Sequence, residues 1–371
     1  MAIDSRRDVA QSQATAGMSG KGVYDRHSEP QSQAIERQEA RLRNAVRHLD
    51  LPGPEMRILD YGCGPGRNSI MAFHVILDEL RRRGTDLPVV AVHNDQIGND
   101  WNGLFANING PDGYLHDADR IRVEASVGSF FEPVASTGSV DLGISLAASH
   151  WLSRSVRIAS PGSLFFCDLP QPARDEVAAQ ADRDWTDFLR RRADELKSSA
   201  WLIVDGLSSV PDSEDHSGLR AAGRGLYRAF WQVAAALAAE GSIDPALLET
   251  FVFPVYFRLS KEVRAPLERE TDLKDAFEFV ELTNELLPIP YEDELAKTGD
   301  VAAYAFAYAN FARAFAESTL RAGLFEGSAS NASKVDGLAD EFFRRLQDLF
   351  TAEPGRHGFE HQVMTLVLRR R

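Results

Sequence analysis

One glycine-rich stretch, residues 58–68, constrains the fold of this chain more than any other. It reads Ile-Leu-Asp-Tyr-Gly-Cys-Gly-Pro-Gly-Arg-Asn, so Asp60 is followed by Gly62, Gly64 and Gly66. Glycine lets a backbone turn sharply and approach a ligand closely, because it carries no Cβ. A helix that starts after such a turn directs its first free N–H groups into the turn. The stretch therefore predicts a strand, a tight turn and a helix that form a nucleotide-type cofactor site.

The residues that follow predict a doubly wound α/β fold. Helical spacing of apolar residues covers 68–83, and the unbroken apolar run 89–92 is typical of a strand buried on both faces of a parallel sheet. Strand, turn, helix and strand in this order begin a doubly wound sheet. Asp95 then lies at the carboxyl end of the second strand, where a carboxylate can accept hydrogen bonds from ribose hydroxyls.

The remaining chain predicts further strands and helices around this start. Residues 1–20 are polar and are expected to form a disordered leader. Residues 209–225 are polar and glycine-rich and are expected to form a loop that leaves the sheet. Periodicity predicts helices over 34–49, 172–197, 227–240 and 302–323, and strands over 56–59, 121–125, 140–146, 201–205, 277–282 and 361–369.

Composition excludes several classes of partner. The net charge of the 371 residues is −14, which argues against nucleic acid and against an anionic membrane surface. No apolar run approaches a membrane span, and the N-terminus lacks the layout of a secretion signal. The two cysteines, Cys63 and Cys167, form no disulfide framework. We therefore expect a cytoplasmic protein.

The spacing of the glycines separates two classes of cofactor. The dinucleotide fingerprint is G-x-G-x-x-G, whereas the third glycine here, Gly66, comes one position early. Asp60 directly before the turn is typical of S-adenosylmethionine methyltransferases with a Rossmann-like fold. The pattern favours a methyltransferase and leaves a nicotinamide-dependent dehydrogenase as an alternative.

Five stretches together resemble the SABATH family of carboxyl and N-methyltransferases, known from plants. The family's N-terminal Tyr/Ser/Gln segment is matched by Tyr24, Ser28 and Gln31. Its Asp-Leu-Gly-Cys-Ser-Ser-Gly-Pro-Asn turn is similar to residues 60–68, and its Asn-Asp-Leu-Pro-Gly-Asn-Asp-Phe-Asn segment to residues 94–102. Its Gly-Ser-Phe-Tyr and Leu-His-Trp-Leu-Ser segments are similar to residues 128–131 and 149–153. The resemblance covers about residues 20–370.

The resemblance implies a class I methyltransferase core, a seven-stranded mixed sheet with an α-helical cap, and a homodimer. It places the core at 21–208 and 271–371 and the main part of the cap at 209–270. S-adenosylmethionine would be the cofactor, with S-adenosylhomocysteine as the product. The resemblance assigns cofactor binding to Tyr24, Ser28, Asp60, Gly62, Cys63, Asn68, Asp95, Gln96, Ser129 and Phe130. It assigns substrate binding to Gln31, Ala147, His150, Trp151, Leu226, Tyr227, Ala312 and Phe315, of which Gln31, His150 and Trp151 would act in catalysis.

Two departures from the family pattern affect the predicted site. Ala147 stands where a pocket tyrosine is common, which leaves room for a larger or differently oriented substrate. The occasional Mg²⁺ site of the family corresponds to Glu249, Phe251 and Val252. Because Val252 has no side-chain oxygen, we expect no metal.

Gln31 and Trp151 favour a carboxylate as the methyl acceptor, because both side chains are hydrogen-bond donors. A carboxylic acid has a pKa of about 4 and arrives ionised, so no general base is needed. Alternatives remain open: an N-methyltransferase on a xanthine-like heterocycle, and a catalytically inactive cofactor-binding protein. His150 and Trp151 could also be ordinary core residues.

Overall fold

The computed structural model describes residues 37–117, 120–159, 162–211 and 219–371, which build a seven-stranded mixed sheet covered by helices. The sheet order is β3-β2-β1-β4-β5-β9-β8, and β9 runs antiparallel to both of its neighbours. The strands β1 to β5 pair in parallel, as the prediction of a doubly wound sheet requires. The strands are β1 (Met56–Tyr61), β2 (Val89–Asp95), β3 (Ile121–Val127), β4 (Val140–Leu146), β5 (Leu196–Leu207), β6 (Ser209–Pro211), β7 (Leu219–Ala221), β8 (Phe277–Leu287) and β9 (His361–Arg370).

Helices lie on both faces of the sheet and in a separate block. Their bounds are α1 (Glu39–His48), α2 (Arg67–Arg82), α3 (Trp101–Ile108), α4 (Gln171–Glu195), α5 (Arg224–Ala239), α6 (Pro245–Leu248), α7 (Ser260–Arg269), α8 (Thr271–Ala276), α9 (Pro290–Thr298), α10 (Val301–Leu320), α11 (Glu326–Ser328) and α12 (Ala332–Ala352). A π-helical turn, Arg321–Phe325, follows α10.

Alternation along the central strands explains why helices cover both faces. Ile58 of β1 belongs to the hydrophobic cluster with α1, α2 and α3, whereas its neighbour Leu59 belongs to the cluster with α4, α7 and α8. Successive side chains of a strand point to opposite faces, so each apolar strand contributes to two cores. The predicted apolar runs are therefore confirmed as central strands.

A third cluster holds the helical block together. It joins residues 151–181, 221–257 and 289–359, and thus unites α5 with α10 and α12. Helices α7 and α8 instead pack beside α4 against the sheet. The cap predicted at 209–270 stays a prediction, although the packing groups α9 to α12 with α5.

One expectation about local structure is wrong, and one helix was not anticipated. The loop predicted at 209–225 contains the antiparallel pair β6 and β7, and α5 begins within it at Arg224. Helix α12 was not anticipated, although it buries an apolar face that includes Leu338, Phe342 and Leu346. The leader at 1–20 and the start of the helix predicted at 34–49 lie outside the described residues. Among the helices of the described ranges, none combines the length and apolar character needed to cross a bilayer.

Candidate active site

The glycine turn joins β1 to α2 and is shaped by contacts that exclude larger side chains. Gly62 has a φ of 85°, and a Cβ added there would collide with the Cβ of Ala148. Gly66 has a φ of 100°, and a Cβ there would collide with Leu104 of α3. Positive φ and close approach both require glycine. The turn therefore packs directly against the segment that follows β4.

The end of β2 and the residues that follow it hold this turn in place. The N–H groups of Gly62 and Cys63 donate to the carbonyl oxygen of Asn94 at 2.9 and 3.0 Å. The side-chain amide of Asn99 donates to the carbonyl oxygen of Gly64 at 2.8 Å. The side-chain amide of Asn107, in α3, donates to the carbonyl oxygen of Pro65 at 2.9 Å. These four hydrogen bonds join the two glycine- and asparagine-rich stretches of the sequence.

Asp95 lies at the carboxyl end of β2, beside the turn. Its Oδ2 accepts the N–H of Gly64 and its Oδ1 accepts the N–H of Gln96, both at 2.7 Å. Burial raises the pKa of Asp95 to about 6, while the hydrogen bonds from Gly64 and Gln96 oppose that rise. Each carboxylate oxygen has a further lone pair and can accept a hydroxyl from a ribose.

Asp60, the other acidic candidate, lies inside the protein with 2% of its surface exposed. Its carboxylate accepts a hydrogen bond from the Ser69 hydroxyl of α2. Its Oδ2 is 3.5 Å from Nδ1 of His93, whose other ring nitrogen is 2.8 Å from the Tyr114 hydroxyl. Asp60 therefore links β1, β2 and α2, and its contact with a cofactor stays a prediction.

Cys63 and Asn68 lie at the two ends of the turn. Burial raises the pKa of the Cys63 thiol well above its usual value, so the thiol stays protonated and is no nucleophile. Asn68, in the first turn of α2, is 8% exposed, and its buried Oδ1 has no hydrogen-bond partner among the described residues. A buried oxygen without a partner is costly. Its position in the turn makes it a candidate acceptor for a ligand.

Ser129 and Phe130 follow β3 and reach the same edge of the sheet. The N–H of Gly128 donates to the carbonyl oxygen of Asp95 at 2.9 Å. The guanidinium of Arg192 donates to the carbonyl oxygen of Phe130 at 2.7 Å. The Phe130 ring is also close enough to Gly62 to lie 3.3 Å from an added Cβ. The predicted stretch 128–131 is therefore brought to the turn.

Residues 147–152 form the other side of the site. Ala147 has a φ of 60°, an unusual conformation for a residue other than glycine. The His150 ring lies 6.1 Å from the Trp151 ring and 5.4 Å from Phe257. Burial, with a smaller contribution from the charge of Arg258, lowers the pKa of His150 to about 3, so the imidazole is neutral at physiological pH.

Aromatic side chains form the wall beside Trp151. Phe253 lies 5.8 Å from the Trp151 ring and 5.2 Å from the Tyr227 ring. Tyr227 in turn lies 6.4 Å from Phe315 of α10. The candidate residues Leu226 and Ala312 are fully buried in the same cluster. Four of the five predicted stretches thus meet in one region, whereas Tyr24, Ser28 and Gln31 lie outside the described residues.

Sequence reasoning missed the residues that hold these segments together. Asn99 lies inside the stretch 94–102, so its position in that motif could have indicated a role. Nothing local indicates Arg192, because the carbonyl groups that it binds are about 60 residues away in the chain. Within the described ranges, no group of three or more His, Cys, Asp or Glu side chains is arranged to hold a metal ion. The absence of a metal stays a prediction.

A family model described as SAM-dependent carboxyl methyltransferase matches residues 11–371. Gibberellic acid methyltransferase 2 of Arabidopsis thaliana is 25% identical over an alignment of 277 residues that covers 66% of this chain and 68% of the relative. A probable 7-methylxanthine methyltransferase 2 of Theobroma cacao is 24% identical over 60% of this chain and 63% of the relative. A solved structure of loganic acid methyltransferase with SAH has a TM-score of 0.73 and 21% identity, and covers 96% of this chain and 98% of the other. This last likeness confirms the fold.

Proposed function

The chain belongs to the family of S-adenosylmethionine-dependent carboxyl methyltransferases, and we propose that its methyl acceptor is the carboxylate of a small, largely apolar acid, aromatic or related. One observation carries the choice of acceptor. The indole N–H of Trp151 donates to no group in the described part of the chain, and the ring lies against Phe253. An open donor beside an aromatic wall suits an anion with an apolar body.

The charge state of the acceptor makes the chemistry simple. A carboxylic acid with a pKa of about 4 is already a nucleophilic anion at neutral pH. Bound S-adenosylmethionine supplies an electrophilic methyl group on a sulfonium. The residues of this chain then have to bind and orient the acid and exclude water. Orientation of this kind can contribute about 7–11 kcal/mol to catalysis.

His150 supports this orientation without taking part in proton transfer. Burial lowers its pKa to about 3, so the imidazole is neutral and adds no charge to the site. It stacks against Trp151 at an interplanar angle of 29°. The hydrogen bonds to the acid then come from Trp151 and Gln31, and they are neutral donors that do not over-stabilise the ground state.

The cofactor site of this proposal lies at the carboxyl ends of β1, β2 and β3. Asp95 would accept hydrogen bonds from the ribose hydroxyls, and Asn68 would offer its buried Oδ1. The further cofactor residues of the proposal are Tyr24, Ser28, Asp60, Gly62, Cys63, Gln96, Ser129 and Phe130. The substrate residues are Gln31, Ala147, His150, Trp151, Leu226, Tyr227, Ala312 and Phe315.

The setting of the enzyme is part of the proposal as well. The two cysteines form no disulfide, and both are buried as free thiols, which supports a cytoplasmic location. A homodimer is proposed on the family resemblance alone. Light scattering of the purified chain tests it, since a mass near 41.0 kDa would mean a monomer.

The acceptor is tested by a methyl-transfer screen with radiolabelled S-adenosylmethionine. The panel contains aromatic, fatty, terpenoid and indole acids, with xanthines as the contrast set. We expect base-labile methyl esters of one or more acids. Turnover of xanthines alone would favour N-methylation, which the cacao relative makes the second candidate. Cofactor binding without any turnover would favour the inactive binding protein.

Trp151→Phe tests the residue that carries the proposal. The variant keeps a ring in the wall and loses the N–H, so the KM for the acid should rise by the equivalent of about 1.5–3 kcal/mol. Trp201→Phe is the matched control. Its ring is 6% exposed, its N–H also has no described partner, and it packs in the cluster with α1 and α2, away from Phe253. Equal KM values for Trp151→Phe and wild type would remove Trp151 from its role.

A further inference from the structure

Arg258 is a buried cation that the catalytic proposal does not use. It is 2% exposed, and among the described residues its guanidinium donates to backbone carbonyl groups and to no carboxylate. Its Nη1 donates to the carbonyl oxygen of Ser149 and its Nη2 to that of Ala181 in α4, both at 2.9 Å. The guanidinium lies 5.2 Å from the Trp185 ring. Burial lowers the pKa of Arg258 to about 10.

A buried charge of this kind is not expected to stabilise the fold by much. Removing an ion from water costs several kcal/mol, and even a buried ion pair can often be replaced by apolar side chains of similar volume without loss of stability. Charge-assisted hydrogen bonds are short and directional, so they fix the groups that they join. Arg258 therefore ties the start of the segment Ser149–Ser153 to α4, at a defined distance and direction.

Asp184 ties the other end of that segment to the same helix. It is 4% exposed, and its carboxylate accepts the N–H of Ser153 at 2.9 Å and the hydroxyl of Ser153 at 2.6 Å. Gln180 donates to the same carboxylate at 2.7 Å. The guanidinium of Arg258 thus holds one end of this segment, and the carboxylate of Asp184 holds the other.

The middle of the segment is held by backbone pairing. The N–H of Tyr256 donates to the carbonyl oxygen of His150, and the N–H of Leu152 to that of Pro254, both at 2.9 Å. Trp151 forms an antiparallel bridge with Val255. Arg258 follows Val255 by three residues, so the segment that pairs with Trp151 also carries Arg258.

We propose that Arg258 and Asp184 form a clamp that positions Trp151 for the acid. The clamp rests on the proposed function, because Trp151 is the donor to the carboxylate. Both residues are positioning residues, since neither is required to touch the substrate. Shortening or neutralising the clamp lets residues 149–153 move relative to α4, and the indole N–H then loses its fixed direction.

The first test needs no substrate. The chain has five tryptophans, so labelling with 5-fluorotryptophan gives a small set of ¹⁹F resonances, of which Trp151→Phe and Trp201→Phe assign two. In Arg258→Met the Trp151 resonance should shift or broaden while the Trp201 resonance stays in place. Arg258→Lys keeps the charge and one carbonyl contact and should give a smaller change. An unmoved Trp151 resonance in both variants overturns the clamp.

The second test measures coupling to Trp151 in the full enzyme. Arg258→Met should raise the KM for the acid by about tenfold, the scale of one hydrogen bond to a charged group. The affinity for S-adenosylhomocysteine, measured by calorimetry, should stay within about twofold, because Arg258 does not contact the turn. In a Trp151→Phe background the effect of Arg258→Met should shrink to less than about threefold, as non-additive neighbours require.

Controls separate the clamp from general destabilisation and from the proposed function. Arg344→Met removes an arginine that is 57% exposed on α12 and should leave KM unchanged. A loss of kcat with unchanged KM, or additive effects with Trp151→Phe, would overturn the clamp while acid turnover persists. Turnover of xanthines alone would overturn the proposed function, and the ¹⁹F experiment would still decide whether Arg258 and Trp151 are coupled.

Discussion

Asp205 offers the sharpest prediction about stability, because its carboxyl is buried without a cation in direct contact. It ends the apolar part of β5 and is 1% exposed. Its Oδ2 accepts from the Gln38 side-chain amide at 3.0 Å and from the Thr365 hydroxyl at 3.2 Å. Its Oδ1 has no hydrogen-bond partner among the described residues. Burial raises the pKa of Asp205 to about 7, although Thr365, Arg41 and Gln38 oppose the rise.

The sign and size of the effect follow from proton linkage. The pKa of an aspartate is about 3.9 in the unfolded chain, so the folded protein holds a proton that the unfolded chain releases. The stabilisation is full below about pH 3.9 and is lost as the pH rises to about 7. A difference of about 3 pKa units corresponds to about 4 kcal/mol, which is an upper bound.

Asp205→Asn removes this pH dependence. The amide oxygen can accept from both Gln38 and Thr365, and the amide nitrogen takes the place of Oδ1, which has no described partner. We expect the variant to match wild type near pH 4 and to exceed it by up to about 4 kcal/mol at pH 8. Urea unfolding of both proteins from pH 4 to 8.5, followed by tryptophan fluorescence, gives the difference in the free energy of unfolding at each pH.

A matched buried aspartate provides the contrast. Asp141 is 3% exposed, but both of its oxygens lie 2.8 Å from Nζ of Lys197. Asp141→Asn breaks that pair and should lower the free energy of unfolding at pH 8 by about 1–3 kcal/mol. If Asp205→Asn is no more stable than wild type at pH 8, or if the difference does not grow between pH 4 and 7.5, the reasoning about Asp205 is wrong.

Three further predictions concern the site. Below about pH 6, the affinity for S-adenosylhomocysteine should fall by up to about tenfold per pH unit, because protonated Asp95 cannot accept two ribose hydroxyls. Calorimetry should show this pH dependence in wild type and not in Asp95→Asn. Gly62→Ala should fail to fold, or its free energy of unfolding should fall by several kcal/mol, because the added Cβ collides with Ala148. In the control Gly84→Ala, where φ is 68° and the space is open, thermal unfolding should show a loss of only about 1–2 kcal/mol. Because the pKa of His150 is about 3, its imidazole does not titrate between pH 5 and 8, so the dependence of the rate on pH in this range should be the same in wild type and in His150→Asn.

Much of the cofactor side could be predicted from sequence because its determinants are local. Positive φ at Gly62 and Gly66, the end of β1 at the turn and the end of β2 at Asp95 follow from residue type and periodicity over a few residues. The parallel pairing of the central strands followed from the doubly wound pattern. The pair β6 and β7 was missed, since nothing in a polar, glycine-rich stretch distinguishes a short strand pair from a loop.

The sequence by itself determined the class of this protein: a glycine turn for a nucleotide-type cofactor, an acidic residue after the next strand, and a His-Trp pair at a fixed place in the order. Only the tertiary structure decided the pKa values of the buried groups and the contacts that hold the site segments in place. Burial that no local pattern encodes lowers the pKa of His150 to about 3 and raises the pKa of Asp205 to about 7. Arg258 reaches Ser149 across 109 residues of chain, and the free energy of such a contact depends on desolvation and geometry set by the whole fold.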